Sequence, residues 1–432
     1  MSLRQNALVL AVLTALIAII GAWSDVPQLA GLWRFPLALL LLGLAYERWM
    51  TNRAQPQFDL FSDARALLGR PTFVRIAMRH RLARSIPVEL IADPPEGIEA
   101  SRDVLSSEIP PGEGGVVDVR IVARRLGEHV WPAVRARFAG PLGLAWWPRR
   151  MQSEFKLQVA PDLLRDERRR VGLLGVGPTA RSMLGAGAEV LQLRDYRPGD
   201  PQHWIDWKAT ARIGRLISRD YSEDQHLDIV IAIDAGRASG LRSGELDRLG
   251  HFVNLAARFA EHAIAQDDRV GLVIFSDRPL VAIPPLRGLA CVLRIRGALE
   301  VAKVDASESN PLNAALRVRT LVRHRSLVVL LTDLDDATVA GQLASAARLL
   351  LPKHLPLIAG LSSPESERLA YSPARTWLGP YEALAAQEYC ARLARNVLAL
   401  RALGAPALLA PPDQLEKAVF QTYAEFRSHR RV

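Results

Sequence analysis

Two stretches near the N-terminus consist almost entirely of apolar residues. Residues 7–23 contain no charged side chain, and residues 32–46 are centred on the sequence LALLLLGLA. Each stretch is close to the lower limit of the roughly 17–25 residues that a membrane-spanning helix uses. The pattern therefore predicts two transmembrane helices that form a hairpin and anchor the chain.

Charged and aromatic residues around these stretches predict how the hairpin is oriented. The connecting residues 24–31 include Asp25 and contain neither Lys nor Arg. Arginines flank the hairpin on both sides, at Arg4, Arg48, Arg53, Arg65 and Arg70. Amphipathic rings lie at the ends of the stretches, at Trp23, Trp33, Tyr46 and Trp49. Because loops rich in Lys and Arg stay in the cytoplasm, both ends of the hairpin are expected to face it.

Both stretches have an alternative interpretation. The first could be a cleaved signal peptide, although no clear small-x-small cleavage site follows it. The second could be an interfacial or buried segment, because Arg34 and Pro36 shorten its apolar run. We favour the two-helix anchor, since both runs approach the length of a membrane span.

Alternation of apolar with polar or small residues marks the region from about residue 56 to residue 160. Val74, Ile76 and Met78 show this alternation, and Pro and Gly clusters such as residues 110–112 interrupt the runs. A period of two between turn signals predicts a small antiparallel sandwich or barrel. We interpret PLGLAWWP, residues 141–148, as a turn followed by core aromatics, with a functional apolar patch as the alternative.

Short apolar strands alternate with helical patterns from residue 226 to residue 432. Residues 227–234 and 326–333 are strand patterns that end in a carboxylate, and residues 280–283 predict a short antiparallel strand. Strands separated by helices are typical of a mostly parallel, doubly wound sheet. The predicted fold class is therefore multidomain: a transmembrane helical hairpin, a small all-β sandwich-like domain and a C-terminal doubly wound α/β domain.

The two carboxylates that end strands, Asp234 and Asp333, are candidate metal ligands. Doubly wound sheets bind ligands beyond the carboxyl ends of their strands, near the point where the strand order reverses. If these strands flank that point, both carboxylates meet in one crevice, where Mg²⁺ would accept oxygen ligands. The alternative is that the aspartates cap helices or pair with arginine. The sequence contains no Walker A lysine loop, no GxSxG elbow and no GxGxxG after a strand.

The segment from Leu191 to Arg212 reads LQLRDYRPGDPQHWIDWKATAR and is the most unusual stretch of the chain. Asp200, followed by proline, predicts a helix N-terminus, and Gly214 predicts the end of that helix. One hypothesis is that Asp200, His203 and Asp206 bind a metal or move protons. We favour the alternative that Asp200 caps the helix, that Asp206 pairs with an arginine and that the tryptophans pack as an interdomain brace.

This segment resembles the signature of the bacterial and archaeal domain of unknown function 58 family, approximately R-x-Y-x-x-G-D followed by I-D-W-x-x-x-A-R. The matching positions are Arg194, Tyr196, Gly199, Asp200, Ile205, Asp206, Trp207, Ala211 and Arg212. The order of membrane hairpin, β-rich region, signature and α/β domain also agrees with that family. The resemblance implies a membrane-associated protein of no established enzymatic activity, often paired with a MoxR-type AAA+ ATPase.

The resemblance further implies that the α/β domain is similar to a von Willebrand factor A domain. A metal site in such a domain starts D-x-S-x-S and adds a threonine and a later aspartate. Residues 234–238 read DAGRA, so both serines are absent, while Thr332-Asp333 resembles the later element. Loss of two hydroxyl ligands weakens a metal site. Mg²⁺ at Asp234 and Asp333 is therefore a degenerate candidate, and the family supplies no catalytic residues.

Composition narrows the classes of function. The net charge is +10, but the arginines are dispersed and aromatic residues make up only 6%, which disfavours a base-stacking platform for nucleic acid. We interpret the charge as a sign of proximity to a membrane. The two cysteines, Cys291 and Cys390, lie in apolar helical patterns and indicate a reducing compartment without a disulfide framework.

The combined patterns predict four segments. They are a hairpin anchor at residues 1–55, a β-sandwich-like domain at 56–165, the signature segment at 166–225 and the α/β domain at 226–432. We expect a bacterial inner-membrane protein whose soluble domains face the cytoplasm. Its expected partners are membrane lipid and a MoxR-type AAA+ ATPase, and no nucleic acid.

The predicted function is a non-catalytic scaffold or interaction protein that works with this ATPase in the assembly or maturation of a protein complex. The alternative hypothesis is a metal-dependent hydrolase of the cytoplasmic membrane face. Its carboxylates would be drawn from Asp200, Asp206, Asp234 and Asp333.

Overall fold

A computed structural model describes residues 2–23, 31–54, 56–62, 65–101, 104–111, 114–162, 184–185, 189–222, 226–373 and 376–428. The chain forms two compact units. The first unit comprises residues 1–162 with 245–250 and 300–302, and the second comprises the rest of the chain. The division into four segments stays a prediction.

Both N-terminal apolar stretches form helices, α1 (Gln5–Trp23) and α2 (Arg34–Arg53). Within the described part of the chain, α1 is the one helix that is long and apolar enough to cross a membrane, by length and composition. α2 carries Arg34 and Arg53 at its ends and Glu47 and Arg48 within it. The apolar N-terminal helix is thus confirmed, whereas the second membrane span of the predicted hairpin stays a prediction.

A β-rich region follows the helices, as predicted. Its strands are β2 (Gln57–Phe61), β3 (Ala66–Leu67), β4 (Pro71–Arg79), β5 (Ile86–Asp93), β6 (Ile98–Ala100), β7 (Leu105–Ile109), β8 (Gly115–Ala123), β9 (Gly127–Val130), β10 (Ala133–Ala139), β11 (Ala145–Gln152) and β12 (Lys156–Ala160), and β1 (Ser2–Leu3) precedes α1. They form sheets of order β1-β11-β10-β5-β7, β2-β4-β8-β6 and β3-β12-β9. All pairs in the two larger sheets are antiparallel.

The two larger sheets share one apolar core. Val74, Ile76 and Met78 alternate along β4 and are fully buried together with residues of β5, β8 and β10. Period-two alternation places these side chains on one face of the strand, from which they pack into this core. In the PLGLAWWP segment, Trp147 is buried as expected, whereas Leu142 is half exposed at the turn between β10 and β11.

Glu47 joins α2 to the turn between β10 and β11. Its carboxylate is fully buried. Oε1 accepts hydrogen bonds from the backbone N–H groups of Leu142 and Leu144, both at 2.9 Å. Oε2 accepts from the N–H of Ala145 at 3.0 Å and from the indole Nε1 of Trp147 at 3.4 Å. Four donors thus satisfy a buried carboxylate, which is the condition for burying such a group without a large loss of stability.

The same turn receives the start of α1. Ser2 and Leu3 pair with Trp146 and Ala145 as an edge strand, and the N–H of Arg4 donates to the carbonyl of Leu144 at 2.8 Å. The approach of α2 requires glycine at position 140, because a Cβ there would lie 2.1 Å from the carboxylate of Glu47. Both helices are therefore fixed to one turn of the β-rich unit.

Replacement of Glu47 with Ala should destabilise the first unit strongly. The substitution leaves three backbone N–H groups and one indole N–H without their acceptor, and each buried unsatisfied donor costs about 1–3 kcal/mol. The expected loss is about 3–5 kcal/mol, measured by denaturant unfolding of the detergent-solubilised full-length chain. Glu154→Ala, at an exposed position of the same unit, is the control. Equal unfolding of the two variants would show that the four hydrogen bonds do not stabilise the unit.

The second unit begins with a small sheet that carries the signature segment. Its strands are β13 (Leu184–Gly185), β14 (Glu189–Asp195) and β15 (Ile217–Ser222), in the order β13-β15-β14. A 3₁₀ turn (Gln202–Trp204) and helix α3 (Trp207–Ile213) connect β14 to β15. Gly214 follows α3 in the left-handed conformation, with φ +76°. The predicted end of the helix is thus confirmed, but its predicted start at Asp200 is wrong, because α3 begins after Asp206.

The rest of the unit is an α/β fold. The strands from residue 226 onwards are β16 (Asp228–Asp234), β17 (Arg242–Ser243), β18 (Leu246–Asp247), β19 (Arg269–Phe275), β20 (Pro279–Leu286), β21 (Leu327–Leu331), β22 (Leu355–Leu361) and β23 (Ala407–Ala410). Of these, β18 lies in the part of the chain that belongs to the first unit. The helices from residue 226 onwards are a 3₁₀ turn (Arg237–Gly240), α4 (Arg248–Ala265), α5 (Gly288–Glu300), α6 (Pro311–Leu321), α7 (Ala337–Leu350), α8 (Pro364–Tyr371), α9 (Gly379–Ala402) and α10 (Pro412–Ser428). The main sheet has the order β20-β19-β16-β21-β22-β23.

The main sheet is mixed. Every neighbouring pair is parallel except β19 with β20, which confirms the short antiparallel strand predicted at residues 280–283. One core joins the sheet to α6, α7 and α9, while α4 and α10 pack together through Phe259, Phe420 and Tyr423. The chain runs outward from β16 to β19 and β20 and returns to β21. The strand order therefore reverses between β16 and β21, the point at which such sheets bind ligands.

Candidate functional site

Asp234 lies at the carboxyl end of β16, at the reversal point, and its side chain is buried. Its Oδ2 atom accepts hydrogen bonds from the hydroxyl groups of Ser309 and Thr332, each at 2.6 Å. Its Oδ1 atom accepts from the backbone N–H of Gly236 at 2.9 Å. The carboxylate thus joins the end of β16 to the end of β21 and to the segment that precedes α6.

Asp333 is buried just beyond the end of β21, so both predicted carboxylates lie at the same edge of the sheet. Its Oδ1 atom accepts from the N–H of Asp335 at 3.0 Å, which turns the chain towards α7. Asp336 then caps α7 through the N–H of Thr338 at 2.6 Å. Tyr389 of α9 donates its hydroxyl to Asp335 at 2.9 Å. The aspartates after β21 therefore shape a turn and begin a helix.

The side chains around Asp234 do not fit a Mg²⁺ ion. A Cβ at position 236, where the metal motif has its first serine, would lie 3.0 Å from the backbone N of Ser309 and 3.1 Å from Oδ1 of Asp234. Ser239 donates its hydroxyl to the carbonyl of Gly236 at 2.6 Å, and Arg237 pairs with the exposed Glu308. Hard cations need six or more oxygens in an open shell. In the described residues, no group of three or more His, Cys, Asp or Glu side chains could hold a metal.

The sequence patterns did not predict Ser309 as a site residue, although its hydroxyl donates a hydrogen bond to the carboxylate of Asp234. The metal motif contains a threonine between its first and last elements, and a hydroxyl residue just before the helix signal Asn310-Pro311 was the available clue. Its partner Asp234 is 75 residues away in the chain, so no local pattern connects the two.

Removal of the Ser309 hydroxyl should weaken the second unit. Ser309→Ala leaves Oδ2 of Asp234 with one hydroxyl donor fewer in a buried position, which costs about 1–3 kcal/mol. Denaturant unfolding of the full-length chain measures the loss. Ser345→Ala, which removes an exposed hydroxyl on α7, should change stability by no more than about 0.5 kcal/mol. A Ser309 variant as stable as the Ser345 variant would contradict the buried network.

The first half of the signature is fixed by an arginine–carboxylate pair. The Nη1 and Nη2 atoms of Arg194 donate to the two oxygens of Asp200 at 2.7 and 2.9 Å. The N–H of Arg197 donates to the same carboxylate at 2.9 Å, and the hydroxyl of Tyr196 donates to the carbonyl of Asp200 at 3.2 Å. Gly199 makes this turn possible, since its φ of +106° is accessible mainly to glycine. Asp200 therefore closes a turn and does not cap a helix.

The second half of the signature is organised by Asp206. Its Oδ1 atom accepts from the N–H groups of Lys208 and Ala209 at 2.9 and 3.0 Å, so that Asp206 is the N-cap of α3. Its Oδ2 atom accepts from Nε of Arg219 on β15 at 2.9 Å. The pairing of Asp206 with an arginine agrees with the sequence interpretation, whereas the identity of the capping residue does not.

Both signature carboxylates are held in the ionised form. The hydrogen bond from Arg194, followed by that from the Arg197 amide, lowers the pKa of Asp200 to about 2. The hydrogen bond from Arg219, followed by that from the Ala209 amide, lowers the pKa of Asp206 to about 2. A general acid or base works best with a pKa near the operating pH. Values this low are typical of structural ion pairs.

The remaining signature positions lie at the surface. Trp207 is 66% exposed at the start of α3, and its role as an interdomain brace stays a prediction. Arg212 and His203 are also exposed, and the imidazole of His203 contacts Trp204 edge to face. The structure does not bring His203, Asp200 and Asp206 together as a metal site. The signature thus combines internally paired charges with a displayed tryptophan.

The pair between Asp206 and Arg219 should give the chain a defined pH dependence. Because the folded pKa of Asp206 is about 2 and its ordinary value is 3.8, its ionised form stabilises the fold fully above about pH 4. That contribution is lost as the pH falls through 2. Asp206→Asn keeps a capping oxygen but loses the charge, so it should melt below the wild type at pH 6, with a difference that narrows below pH 4.

Melting temperatures of both proteins from pH 7 to pH 2.5 test this expectation. Asp195→Asn, which removes the exposed pair with Arg215, is the matched control and should alter the melting temperature little. A difference between wild type and Asp206→Asn that is the same at every pH would count against the ion pair.

Comparison with known proteins agrees with the signature. A model of the family described as protein of unknown function DUF58 matches residues 192–369. No curated protein matches the chain.

Among solved structures, the conserved hypothetical protein BatB from Bacteroides thetaiotaomicron is 14% identical, with a TM-score of 0.32 over 47% of this chain and 99% of its own. Proximal thread matrix protein 1 from the mussel byssus, solved with a zinc-occupied MIDAS motif, is 14% identical, with a TM-score of 0.29 over 46% of this chain and 44% of its own. With TM-scores this low, these likenesses say nothing about chemistry.

Proposed function

We propose, on the premise that residues 192–369 match the model of the DUF58 family of proteins of unknown function, that the chain is a membrane-anchored, non-catalytic interaction protein. The N-terminal helices hold it in the bacterial inner membrane with both units on the cytoplasmic side. The second unit, similar to a von Willebrand factor A domain, docks a protein partner. In agreement with the family resemblance, that partner is a MoxR-type AAA+ ATPase acting in the assembly or maturation of a protein complex.

One observation carries this proposal: the candidate carboxylates accept hydrogen bonds from other groups of the protein. Asp200, Asp206 and Asp234 each accept three hydrogen bonds from neighbouring groups of the second unit. Two of these carboxylates have a pKa of about 2. Groups held in this way stabilise a surface and orient it, but they are poor proton donors or acceptors at neutral pH.

The displayed Trp207 supports docking. Two thirds of the surface of Trp207 are exposed to water. Transfer of this apolar surface from water into contact with a partner is energetically favourable. Tryptophan is also among the residues that contribute most to protein–protein binding. Asp206, adjacent in sequence, is paired with Arg219 and starts the helix at this point. The internal pairing of the signature therefore presents its tryptophan in a fixed position.

The membrane location is supported by α1 and by the charge distribution. The most apolar 18 residues of α1 are only 17% buried by the protein, so this helix exposes an apolar surface that needs another covering. Arg4 precedes α1, and Arg48 and Arg53 lie at the end of α2. Positive charge at both ends favours their placement on the cytoplasmic side.

The alternative of a metal-dependent hydrolase gains no specific support. It requires Asp200, Asp206, Asp234 or Asp333 to present oxygens to an ion or a substrate. Three of them instead accept hydrogen bonds from guanidinium, hydroxyl and amide groups of the protein, and Asp333 shapes a turn. We therefore retain the interaction protein as the proposed function.

Capture of a partner from native membranes tests the proposal. The full-length wild type, Trp207→Ala and Trp377→Ala are compared with and without Mg²⁺-ATP. Trp377 is the matched control, because it is 81% exposed in the same unit but lies outside the family match. The wild type and Trp377→Ala should capture an AAA+ ATPase in a nucleotide-dependent manner. Trp207→Ala should capture at least about tenfold less of it, because the substitution removes a binding hot spot.

Mass spectrometry identifies the captured protein, and purified ATPase then repeats the measurement. Equal capture by Trp207→Ala and the wild type would show that Trp207 does not contribute to the interface. If the wild type captures no AAA+ ATPase under either condition, the proposed partner is wrong.

A further inference from the structure

Arginine side chains lie over two tryptophan rings where α1 and α2 meet the β-rich unit. The guanidinium carbon of Arg4 lies 4.9 Å from the ring centre of Trp146, and that of Arg137 lies 5.2 Å from the same ring. The guanidinium carbon of Arg48 lies 5.7 Å from the ring centre of Trp147. These distances are those of cation–π contacts. We refer to these five residues as the arginine–tryptophan collar.

The backbone holds the collar in place. Trp146 pairs with Ser2 in the edge strand, so Arg4 follows directly beside the indole ring. On the other side, the hydrogen bonds of Glu47 fix the turn of α2 that carries Arg48. The collar is therefore part of the ordered structure of the first unit and does not depend on flexible side chains alone.

The arginines of the collar differ in whether a carboxylate neutralises them. Arg137 pairs with Glu89 on β5. In the part of the chain that the structure describes, Arg4 and Arg48 form no ion pair, since the adjacent carboxylate of Glu47 accepts from amide and indole groups instead. Two guanidinium groups thus stand beside indole rings without a neutralising carboxylate. A planar guanidinium is suited to bidentate hydrogen bonding with phosphate oxygens.

An apolar surface begins on the helix side of the collar. Large apolar side chains are exposed along both helices and at the turn, including Leu16, Ile20, Leu39, Leu42 and Leu142. With 19 residues, α1 is about 28 Å long, close to the roughly 30 Å of a bilayer's hydrocarbon core. Tyr46 and Trp49 are exposed on α2 next to Arg48, at the height where aromatic rings favour the headgroup region.

We propose that the arginine–tryptophan collar binds the phosphate groups of anionic phospholipids at the membrane surface. This inference rests on the proposed membrane anchoring and adds the class of lipid that the anchor selects. The occupant is a headgroup and not a free phosphate, because the cations border the exposed apolar surface of the helices. Headgroups accept hydrogen bonds from Arg4 beside Trp146 and from Arg48 beside Trp147, while their acyl chains cover the leucines of α1 and α2.

Native mass spectrometry of the full-length chain in mild detergent tests the collar. Phosphatidylglycerol and phosphatidylcholine with the same acyl chains are titrated separately. The wild type should bind phosphatidylglycerol at least about tenfold more tightly, because Arg4 and Arg48 each offer a cation to an anionic headgroup. Arg4→Gln with Arg48→Gln should lose this preference, whereas Arg4→Lys with Arg48→Lys should retain most of it, because the charge is kept.

Arg120→Gln with Arg125→Gln provides the charge-matched control, since these exposed arginines lie on and after β8 of the other large sheet. This pair should bind as the wild type does. An unchanged preference in the Arg4 and Arg48 glutamine variant would overturn the proposal. So would displacement of phosphatidylglycerol by millimolar inorganic phosphate, because it would identify a site for soluble phosphate.

Flotation with phosphatidylcholine vesicles separates this inference from the anchoring on which it rests. The wild type and the glutamine variant should both float after reconstitution, because α1 inserts regardless of headgroup charge. If the wild type fails to float, the proposed anchoring fails. If both proteins float and neither prefers phosphatidylglycerol, the result supports the anchoring and contradicts the collar proposal.

Discussion

A buried carboxylate has to be supplied with hydrogen-bond donors, and both units of this protein are organised by that constraint. An unpaired charge in the interior costs several kcal/mol, so the chain around each such group must place amide, hydroxyl or guanidinium groups within about 3 Å. In the first unit, Glu47 imposes the constraint on the turn between β10 and β11. The backbone N–H groups of Leu142, Leu144 and Ala145 face the carboxylate, and glycine at position 140 leaves room for it. The positions of α2 and of the edge strand before α1 follow from this turn.

The second unit meets the same constraint at both ends of its sheet. Asp234 joins the carboxyl ends of β16 and β21 through the hydroxyl of Thr332. At the opposite end, Asp268 accepts from the N–H of Leu227 at 3.0 Å and from Tyr423 and Arg427 of α10. Burial raises the pKa of Asp268, and the hydrogen bond from Tyr423 partly offsets that effect. The reversal point of the sheet, where related architectures bind ligands, is therefore occupied by the protein's own donors.

Local patterns in the sequence were sufficient for the elements but not for the partners of their charged residues. The buried strands ending at Asp234 and Asp333 and the glycine that ends α3 were predictable, because apolar periodicity and a left-handed glycine act over a few residues. The predicted start of α3 was wrong, because Arg194 binds both oxygens of Asp200, and Asp206 takes the capping role. Ser309 was missed, because its contact joins residues 75 positions apart.

Glu47, the acid of α2, also determines what the neighbouring cations can do. Glu47 lies in sequence next to Arg48 and close in space to the turn that receives Arg4. If its carboxylate were free, it would neutralise one of these arginines. Because four N–H groups saturate it, the guanidinium groups of Arg4 and Arg48 stack on Trp146 and Trp147 instead. The hydrogen bonds that fix the helices to the β-rich unit are thus the reason why positive charge is available at their base.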